Sequence, residues 1–329
     1  MSGKKRILSG MRPTGPLHLG NLHGALNQWV ALQDEYECFY FVADWHALTS
    51  NYEDPVGLDE FTLEMAADWL SAGLSPEKST LFVQSHVKEH AELFLILSMI
   101  TPLSWLERNP TYKDQMAQLA GKDVSTFGFL GYPVLQAADI IMYLADAVPV
   151  GEDQIPHVEI TREIARRFNH LYGPVFREPQ ALLTKATARI LGIDRRKMSK
   201  SYDNAIYLGD PPETIAERTS RMITDPQRAR KSDPGDPGVC NVFEFHRLYT
   251  DPGRVKEIDA GCRSAALGCV ECKKNLAVSL AEGLAPIREK RAHYMERPDR
   301  VKQILADGTD RARAVARQTM EAVRAGVRL

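Results

Sequence analysis

Apolar residues in the N-terminal half of the chain fall into two alternating patterns. Arg6–Gly10, Cys38–Asp44, Thr80–Gln84 and Ala147–Gly151 are short apolar runs, predicted as strands buried on both faces. Between the first two, Leu22, Ala25, Leu26, Trp29 and Leu32 repeat at helical spacing, predicting a helix over Asn21–Tyr36. Pro55–Gly73 and Glu89–Met99 predict further helices. Strand–helix–strand alternation implies a parallel sheet with crossover helices, and ligands in such sheets bind beyond the carboxyl ends of the strands. After about Asp194 the texture changes. Arg195–Asp203 is polar and basic, Ser232–Gly238 is rich in turn residues, and Arg254–Leu329 is mostly helical with a break expected near Gly308. An α/β nucleotide-binding domain followed by a mostly helical domain is the coarse expectation. No internal repeat or low-complexity tract interrupts it.

Length and composition fit this picture. The chain has 329 residues, 44% hydrophobic and 26% charged, with a net charge of −2, which suits two globular domains and excludes disorder, collagen-like repeats and disulfide scaffolds. The charge is uneven. Pro286–Leu329 holds 11 Lys/Arg against 6 Asp/Glu, so a basic C-terminal face is either a solvated helix surface or a phosphate-binding one. The longest apolar stretch, Phe127–Val150, contains Gln136, Asp139, Asp146 and two prolines, a poor membrane span and a good core segment. The first ten residues lack the apolar run of a secretory signal, and five cysteines then imply reduced thiols in a cytoplasmic protein.

The first strand runs into Ser9-Gly10-Met11-Arg12-Pro13-Thr14-Gly15-Pro16-Leu17-His18-Leu19-Gly20-Asn21, with a helix following. Its glycines permit close backbone approach to a ligand, and the helix start at Asn21 offers free N–H groups to a phosphate. No Gly-Lys-Ser/Thr follows, so this is not a Walker A loop, nor is it a G-x-G-x-x-G fingerprint. His18 alone could be a structural loop histidine or a phosphate donor. Near residue 200 stands a second motif, Lys197-Met198-Ser199-Lys200-Ser201.

His18-Leu19-Gly20-Asn21 followed by Lys197–Ser201 resembles the paired signatures of class I aminoacyl-tRNA synthetases. The resemblance implies ATP as substrate, with Mg²⁺, and a reaction without a covalent enzyme intermediate. Catalysis is then positioning plus stabilisation of developing negative charge. His18 and Asn21 are implied phosphate contacts, Gly20 admits adenine against the backbone, and Lys197 and Lys200 neutralise the α-phosphate and departing pyrophosphate from a mobile loop that includes Met198, Ser199 and Ser201. Arg12, Pro13 and Thr14 line the implied ATP site, and Ile190 approaches adenine from the other side.

Gly151-Glu152-Asp153-Gln154, with His157, Glu159, Thr161-Arg162 and Arg167-Phe168-Asn169, is similar to the tryptophanyl-tRNA synthetase signature, and Tyr132-Pro133-Val134-Leu135-Gln136-Ala137-Ala138-Asp139 to the amino-acid-binding helix of that family. The likeness extends through Gly10, Asp44 and His46 to the C-terminal helices. By it, Asp139 accepts the indole N–H, and Tyr132, Gln136 and Gln154 lie near the ammonium and carboxylate, with Gly10 and His46 also in the tryptophan site. Gly151, Glu152 and Asp153 face ATP, Asp153 near the ribose. A tyrosine enzyme would also use an acidic residue at 139, because the phenol O–H donates too. The implied organisation is a Rossmann-type catalytic domain (1–194), a KMSKS loop (195–203), a helical anticodon-binding domain (204–295) and a C-terminal helix (296–329) packing back. Implied partners are tRNA(Trp), L-tryptophan and a second copy in a homodimer, with neither membrane nor DNA. Arg221, Arg228, Arg230 and Lys231 are candidate tRNA-phosphate contacts.

Cys240, Cys262, Cys269 and Cys272 form C-x21-C-x6-C-x2-C, which in a reducing compartment reads as a metal site. A subset of tryptophanyl-tRNA synthetases carries a four-cysteine iron–sulfur cluster with almost this spacing, the first interval here being one residue shorter. A [4Fe–4S] cluster, zinc and unligated thiols are the readings. Cys38 is expected to be a small buried hydrophobe. His86-Val87-Lys88-Glu89-His90 matches the H-x-x-E-H pattern of some zinc peptidases. It lacks an evident third ligand and is set aside as a chance match.

Overall fold

The computed structural model describes residues 3–109, 112, 124–183 and 190–329. At its centre lie β1 (Arg6–Met11), β2 (Glu37–Val42), β3 (Ser79–Val83), β4 (Ala147–Val150) and β5 (Gln180–Leu183), in the order β3-β2-β1-β4-β5 with every pairing parallel. Four strands fall within two residues of their sequence positions. β5 was not anticipated, because Gln180-Ala181-Leu182-Leu183 is short and its fit to the sheet comes from pairing with β4. β2 ends at Val42 because Asp44 already opens helix α2 (Asp44–Asn51), also unforeseen.

Successive strand residues face opposite layers, as the pleat requires. Ile7, Cys38, Tyr40, Val42, Leu81 and Val83 face one apolar layer, and Leu8, Phe39, Phe41 and Phe82 the other. The first layer is built on α1 (residues 19–32) and α3 (Leu58–Ala72). Helix α1 is α-helical at Leu19–Asn21 and Asn27–Leu32 but opens into a π turn at Leu22–Leu26, a local distortion that often marks functional sites. Helix α3 is stopped by Gly73, left-handed at φ 116°, where a Cβ would be strained. The second layer is built on α4 (Glu89–Ser98), α6 (Phe127–Met142) and α7 (Ile155–Tyr172), with the short α5 (Leu103–Glu107) beside them. None of the described helices is long and apolar enough to cross a membrane.

Beyond residue 190 the described chain is helical: α8 (Pro212–Ser220), α9 (Asn241–Tyr249), α10 (Pro252–Arg263), α11 (Cys269–Met295) and α12 (Pro298–Val327). The expected break near Gly308 does not occur, since α12 runs unbroken through it. Gly308 lies against the backbone of Leu81 on edge strand β3, where an added Cβ would strike the Leu81 carbonyl. Close approach to the sheet, not a helix stop, explains this glycine. Helix α12 therefore seals the β3 edge and joins the layers, contributing Val301, Ile304 and Leu305 to one and Ala312, Ala316, Met320 and Val323 to the other. Its basic residues hold it down. Arg311 donates to the Pro76 and Ser79 carbonyls, Arg313 to that of His86, and Arg324 to both Glu92 carboxylate oxygens at 2.7 and 2.6 Å.

Candidate active site

A cavity of about 350 Å³ opens beyond the carboxyl ends of β1 and β4, where the strand order reverses. Its walls come from Gly10 on β1 and Arg12 just after it, from Gly24 and Ala25 in the π turn of α1 and Gln28 just beyond it, from His46 on α2, from Tyr132, Gln136 and Asp139 on α6, and from Gly151, Gln154 and His157 around the start of α7. The π turn thus shapes one wall. Gly10 is packed flush on Phe41, whose ring a Cβ would meet at 2.5 Å, so this glycine serves the cavity floor as much as ligand approach.

Asp139 is wholly buried. His46 Nε2 donates to its Oδ2 at 2.7 Å, His90 Nδ1 to its Oδ1 at 2.6 Å, and Gln84 Nε2 to both oxygens at 2.8 and 3.0 Å. Burial pushes its pKa up, but the bonds from both histidines outweigh that and leave it below the usual carboxylate value. Asp139 is therefore an ionised acceptor at an apolar wall, held by donors that sequence reasoning missed except for His46. Tyr132 Oη lies 3.2 Å from His157 Nε2, and burial raises its pKa, so it remains a phenol.

His18 sits at the start of α1, where its backbone N–H donates to Asn21 Oδ1 at 3.1 Å. Asn21 thus shapes the loop locally. The His18 ring is nearly buried, with a pKa pulled down to about 4 by burial and by the charges of Lys200 and Lys197, so it is a neutral imidazole. Its Nδ1 is buried and has no hydrogen-bond partner among the described residues, which suits a bound group. Gly20 leaves room for that ring, since a Cβ would come within 2.9 Å of it.

Lys197–Ser201 reaches the same loop. Lys200 Nζ donates to Thr14 Oγ1 at 3.3 Å and lies close to Gly15, which is left-handed at φ 107°. Burial lowers the Lys200 pKa to about 8, with Asp68 and Glu64 pulling it back up. Met198 is buried beside Gly20 and anchors the segment, Lys197 is exposed, and Ser199 Oγ accepts the Ser201 N–H. Asn204, fully buried, organises all of this: its Oδ1 accepts the Ser199 N–H at 2.8 Å, and its Nδ2 donates to Asp194 and to the Lys197 carbonyl. Gly192 is flush against Asn204 with no room for a side chain. Pro13 is buried and Ile190 half-buried against the α1–α3 layer. Glu152 stands on the turn Glu152–Gln154; the side chain of Asp153 lies outside the described residues.

Residues 2–285 match the family described as tRNA synthetases class I (W and Y). This chain belongs to that family. It is 53% identical to the tryptophan–tRNA ligase of Thermotoga maritima, over 98% of this chain and 99% of that one, and 46% identical to that of Ralstonia nicotianae, over 97% of each. A crystal structure of tryptophanyl-tRNA synthetase from Campylobacter jejuni, complexed with ADP and tryptophan, is 38% identical and superposes with a TM-score of 0.91 over 98% of this chain and all of that one. The synthetase fold expected from the sequence is thereby shown.

The four cysteines gather where α9, α10 and α11 meet, with Cys240 buried and the others half-buried. Burial, and after it repulsion from the neighbouring thiols, raises the pKa values of Cys240, Cys262 and Cys272, the last to about 12. Among the described residues, however, no group of three or more His, Cys, Asp or Glu side chains is arranged to hold a metal ion. Arg228 Nη1 stands between two of the sulfurs, 3.9 Å from Cys262 and 3.7 Å from Cys269, and Cys272 Sγ is 3.5 Å from His246 Nε2. Arg228, expected to face tRNA phosphate, is thus turned inward, whereas Arg221, Arg230 and Lys231 are exposed. Cys38 is a buried core residue, as expected.

Proposed function

We propose that the cavity between β1 and β4 activates tryptophan with the residues just described. The chain is a tryptophan–tRNA ligase: it joins L-tryptophan to ATP as tryptophanyl-adenylate, releasing pyrophosphate, and passes the amino acid to the 3′ end of tRNA(Trp). One observation carries the site assignment. The ionised carboxylate of Asp139 is buried at the wall of a cavity that Gly10 and Arg12 also line, and Lys200 reaches the loop that continues from Arg12 at Thr14.

The tryptophan carboxylate attacks the α-phosphate, and the bond to pyrophosphate breaks. His18, as a neutral imidazole, donates to a phosphate oxygen without repelling a neighbouring ammonium group, and Asn21 keeps its backbone in place. Lys200 and Lys197 neutralise charge as it passes to the leaving pyrophosphate, with Mg²⁺ carried by the nucleotide sharing that charge. Arg12, Pro13, Thr14, Gly20, Gly151, Glu152, Asp153 and Ile190 enclose ATP, and Met198, Ser199 and Ser201 hold the loop that brings the lysines in. Asp139 accepts the indole N–H, while Gly10, His46, Tyr132, Gln136 and Gln154 complete the tryptophan site. A ligand unable to donate leaves that buried carboxylate short of a partner, so it is rejected.

Residues 204–295 are assigned to anticodon binding and 296–329 to the helix closing the catalytic domain. The exposed apolar side chains Leu95, Met99, Leu103 and Phe127, at the α4–α5 corner and the head of α6, are assigned to the contact with a second copy in a homodimer. The four thiols are assigned to a thiolate-bound group, a [4Fe–4S] cluster before zinc. The donor set suits it, with backbone N–H groups of Val242 and Phe243 directed at Cys240, provided the sulfurs close in and Arg228 gives way. Such a group would supply a structural clamp on α9–α11.

Amino-acid-dependent ATP–pyrophosphate exchange tests the site, run with tryptophan and tyrosine in parallel and with Lys200→Ala and Asp139→Asn variants. Exchange with tryptophan alone, lost in the first variant and unselective in the second, is expected. Wild-type exchange in folded Lys200→Ala would refute the assignment.

A further inference from the structure

The motif set aside in the sequence, His86-Val87-Lys88-Glu89-His90, proves to have one residue at the heart of the site. His86 lies on a short turn after β3, its carbonyl taken by Arg313, while His90 on α4 is fully buried beside Phe41 and Phe82. His90 Nδ1 is 2.6 Å from Asp139 Oδ1, and its Nε2 is 2.7 Å from Tyr143 Oη. Tyr143 is itself fully buried, stacked on Phe39 at 5.0 Å. We propose that His90 and Tyr143 are positioning residues for specificity, a buried relay that fixes the lone pairs of Asp139 so that the carboxylate selects an indole N–H. This rests on the assignment of Asp139 as the indole acceptor.

The relay follows from donor and acceptor bookkeeping. Burial and the nearby Asp139 charge hold the Tyr143 phenol well above its ordinary pKa, so it keeps its proton. Donated to His90, that proton makes Nε2 the acceptor. The ring then carries its own proton on Nδ1 and gives it to Asp139. The opposite tautomer would turn a lone pair on the carboxylate, so Asp139 selects the Nδ1–H form, and the Tyr143 phenol completes it by donating to Nε2. A carboxylate offers about four acceptor positions. His90 and His46 take one position on each oxygen, the single Gln84 Nε2 is shared between the two, and Asp139 lines the cavity, so an entering donor competes with that shared amide for a lone pair whose direction the two histidines set. Tryptophan supplies such a donor; an isostere with sulfur in place of the N–H does not.

The test uses the full chain, pyrophosphate exchange, and two substrates of nearly equal shape, tryptophan and 3-(benzothiophen-3-yl)alanine. Asparagine places an amide nitrogen near the Nδ1 position of histidine, and glutamine places one near Nε2. His90→Asn can therefore still donate to Asp139, whereas His90→Gln cannot. The relay predicts that His90→Gln and Tyr143→Phe raise KM for tryptophan about tenfold with kcat changed by less than about threefold, and lower the preference for tryptophan over the isostere about tenfold. His90→Asn should stay within about threefold of wild type. Tyr143→Phe removes one oxygen and conserves shape, so it carries the test should His90→Gln fail to fold. A parallel rise in KM for both substrates, or an unchanged preference, would overturn the relay. Asp139→Asn separates the two levels. If it abolishes the preference while the His90 and Tyr143 variants keep it, the relay fails and the Asp139 assignment stands; if it too leaves the preference intact, both fail.

Discussion

Replacing Asp68 by leucine and Arg291 by methionine together separates what holds the fold from what holds the nucleotide loop. Asp68, on α3, is fully buried; its Oδ1 accepts from Arg291 Nε of α11 at 2.6 Å and its Oδ2 accepts the Leu17 N–H at 2.7 Å, one residue before His18. Burial pushes the Asp68 carboxyl above its usual pKa even against the Arg291 charge, so the ion pair returns little beyond its own desolvation. Breaking it from one side is another matter. Asp68→Leu alone leaves a mostly covered guanidinium with only Glu64, 3.6 Å away, and no close hydrogen-bonded carboxylate, and should cost about 3 kcal/mol, read from the urea midpoint and slope. The double variant removes both charges and should return to within about 1 kcal/mol of wild type. Activity should not return with it. The Leu17 N–H has lost its acceptor in either case, and a loop displaced by about 1 Å costs on the order of a hundredfold in rate. Pyrophosphate exchange should therefore stay about tenfold to a hundredfold low in a double variant whose stability is restored. Activity that rises in step with stability would refute the argument, because it would mean that Asp68 supports the fold alone and not the His18 loop.

Two further predictions concern charge and packing. With Lys200 titrating at about 8, kcat/KM for ATP should be level near neutral pH and fall above pH 8 as the ammonium loses its proton, its neighbours Asp68 and Glu64 only delaying this. Lys200→Arg stays charged, so an alkaline limb that persists in it would assign the titration elsewhere. Gly308→Ala should destabilise by about 1–3 kcal/mol in urea unfolding, although alanine is the better helix former by about 1 kcal/mol, because its Cβ strikes the Leu81 carbonyl; a neutral result would mean that α12 does not lie that close to β3.

What the sequence disclosed and what it withheld divide along a physical line. The His18 loop, the Lys197–Ser201 segment and the apolar setting of Asp139 were legible because each is a local pattern; Asp139 lines the cavity with Gly10 and Arg12, and Lys200 meets the loop at Thr14. The residues that hold them were not. Gln84 and His90 meet Asp139 across 55 and 49 positions, and Asp68 meets Leu17 across 51, distances at which spacing carries no signal. Asn204 is close in sequence to the loop it braces, but nothing distinguishes a buried asparagine from an exposed turn residue until the chain is folded. The Gly308 error has the same origin: local helix propensity was read correctly and tertiary packing overrode it. At the C-terminus composition left a solvated face and a phosphate-binding one open, and the structure shows part of that basic excess bound to backbone carbonyls and to Glu92.

Two buried carboxylates, Asp139 and Asp68, show how this fold spends charge. Both are fully covered and both accept from charged or chargeable partners, yet their pKa values move in opposite directions. Around Asp139, two histidines and an amide donate from different elements, and the sum outweighs desolvation; the carboxylate stays ionised with an acceptor position directed to a cavity. Around Asp68, one arginine and one backbone N–H take the oxygens, desolvation wins, and the group does not line the active-site cavity. An anion that must greet a substrate needs surplus donors, because the substrate's bond is absent whenever the site is empty and the charge must survive without it. An anion that only ties α11 to the His18 loop needs just the partners it ties. On this reasoning the number of protein donors around a buried carboxylate, rather than its burial, marks which one meets a ligand: Asp139→Asn should change substrate choice, and Asp68→Asn should change rate for every substrate alike.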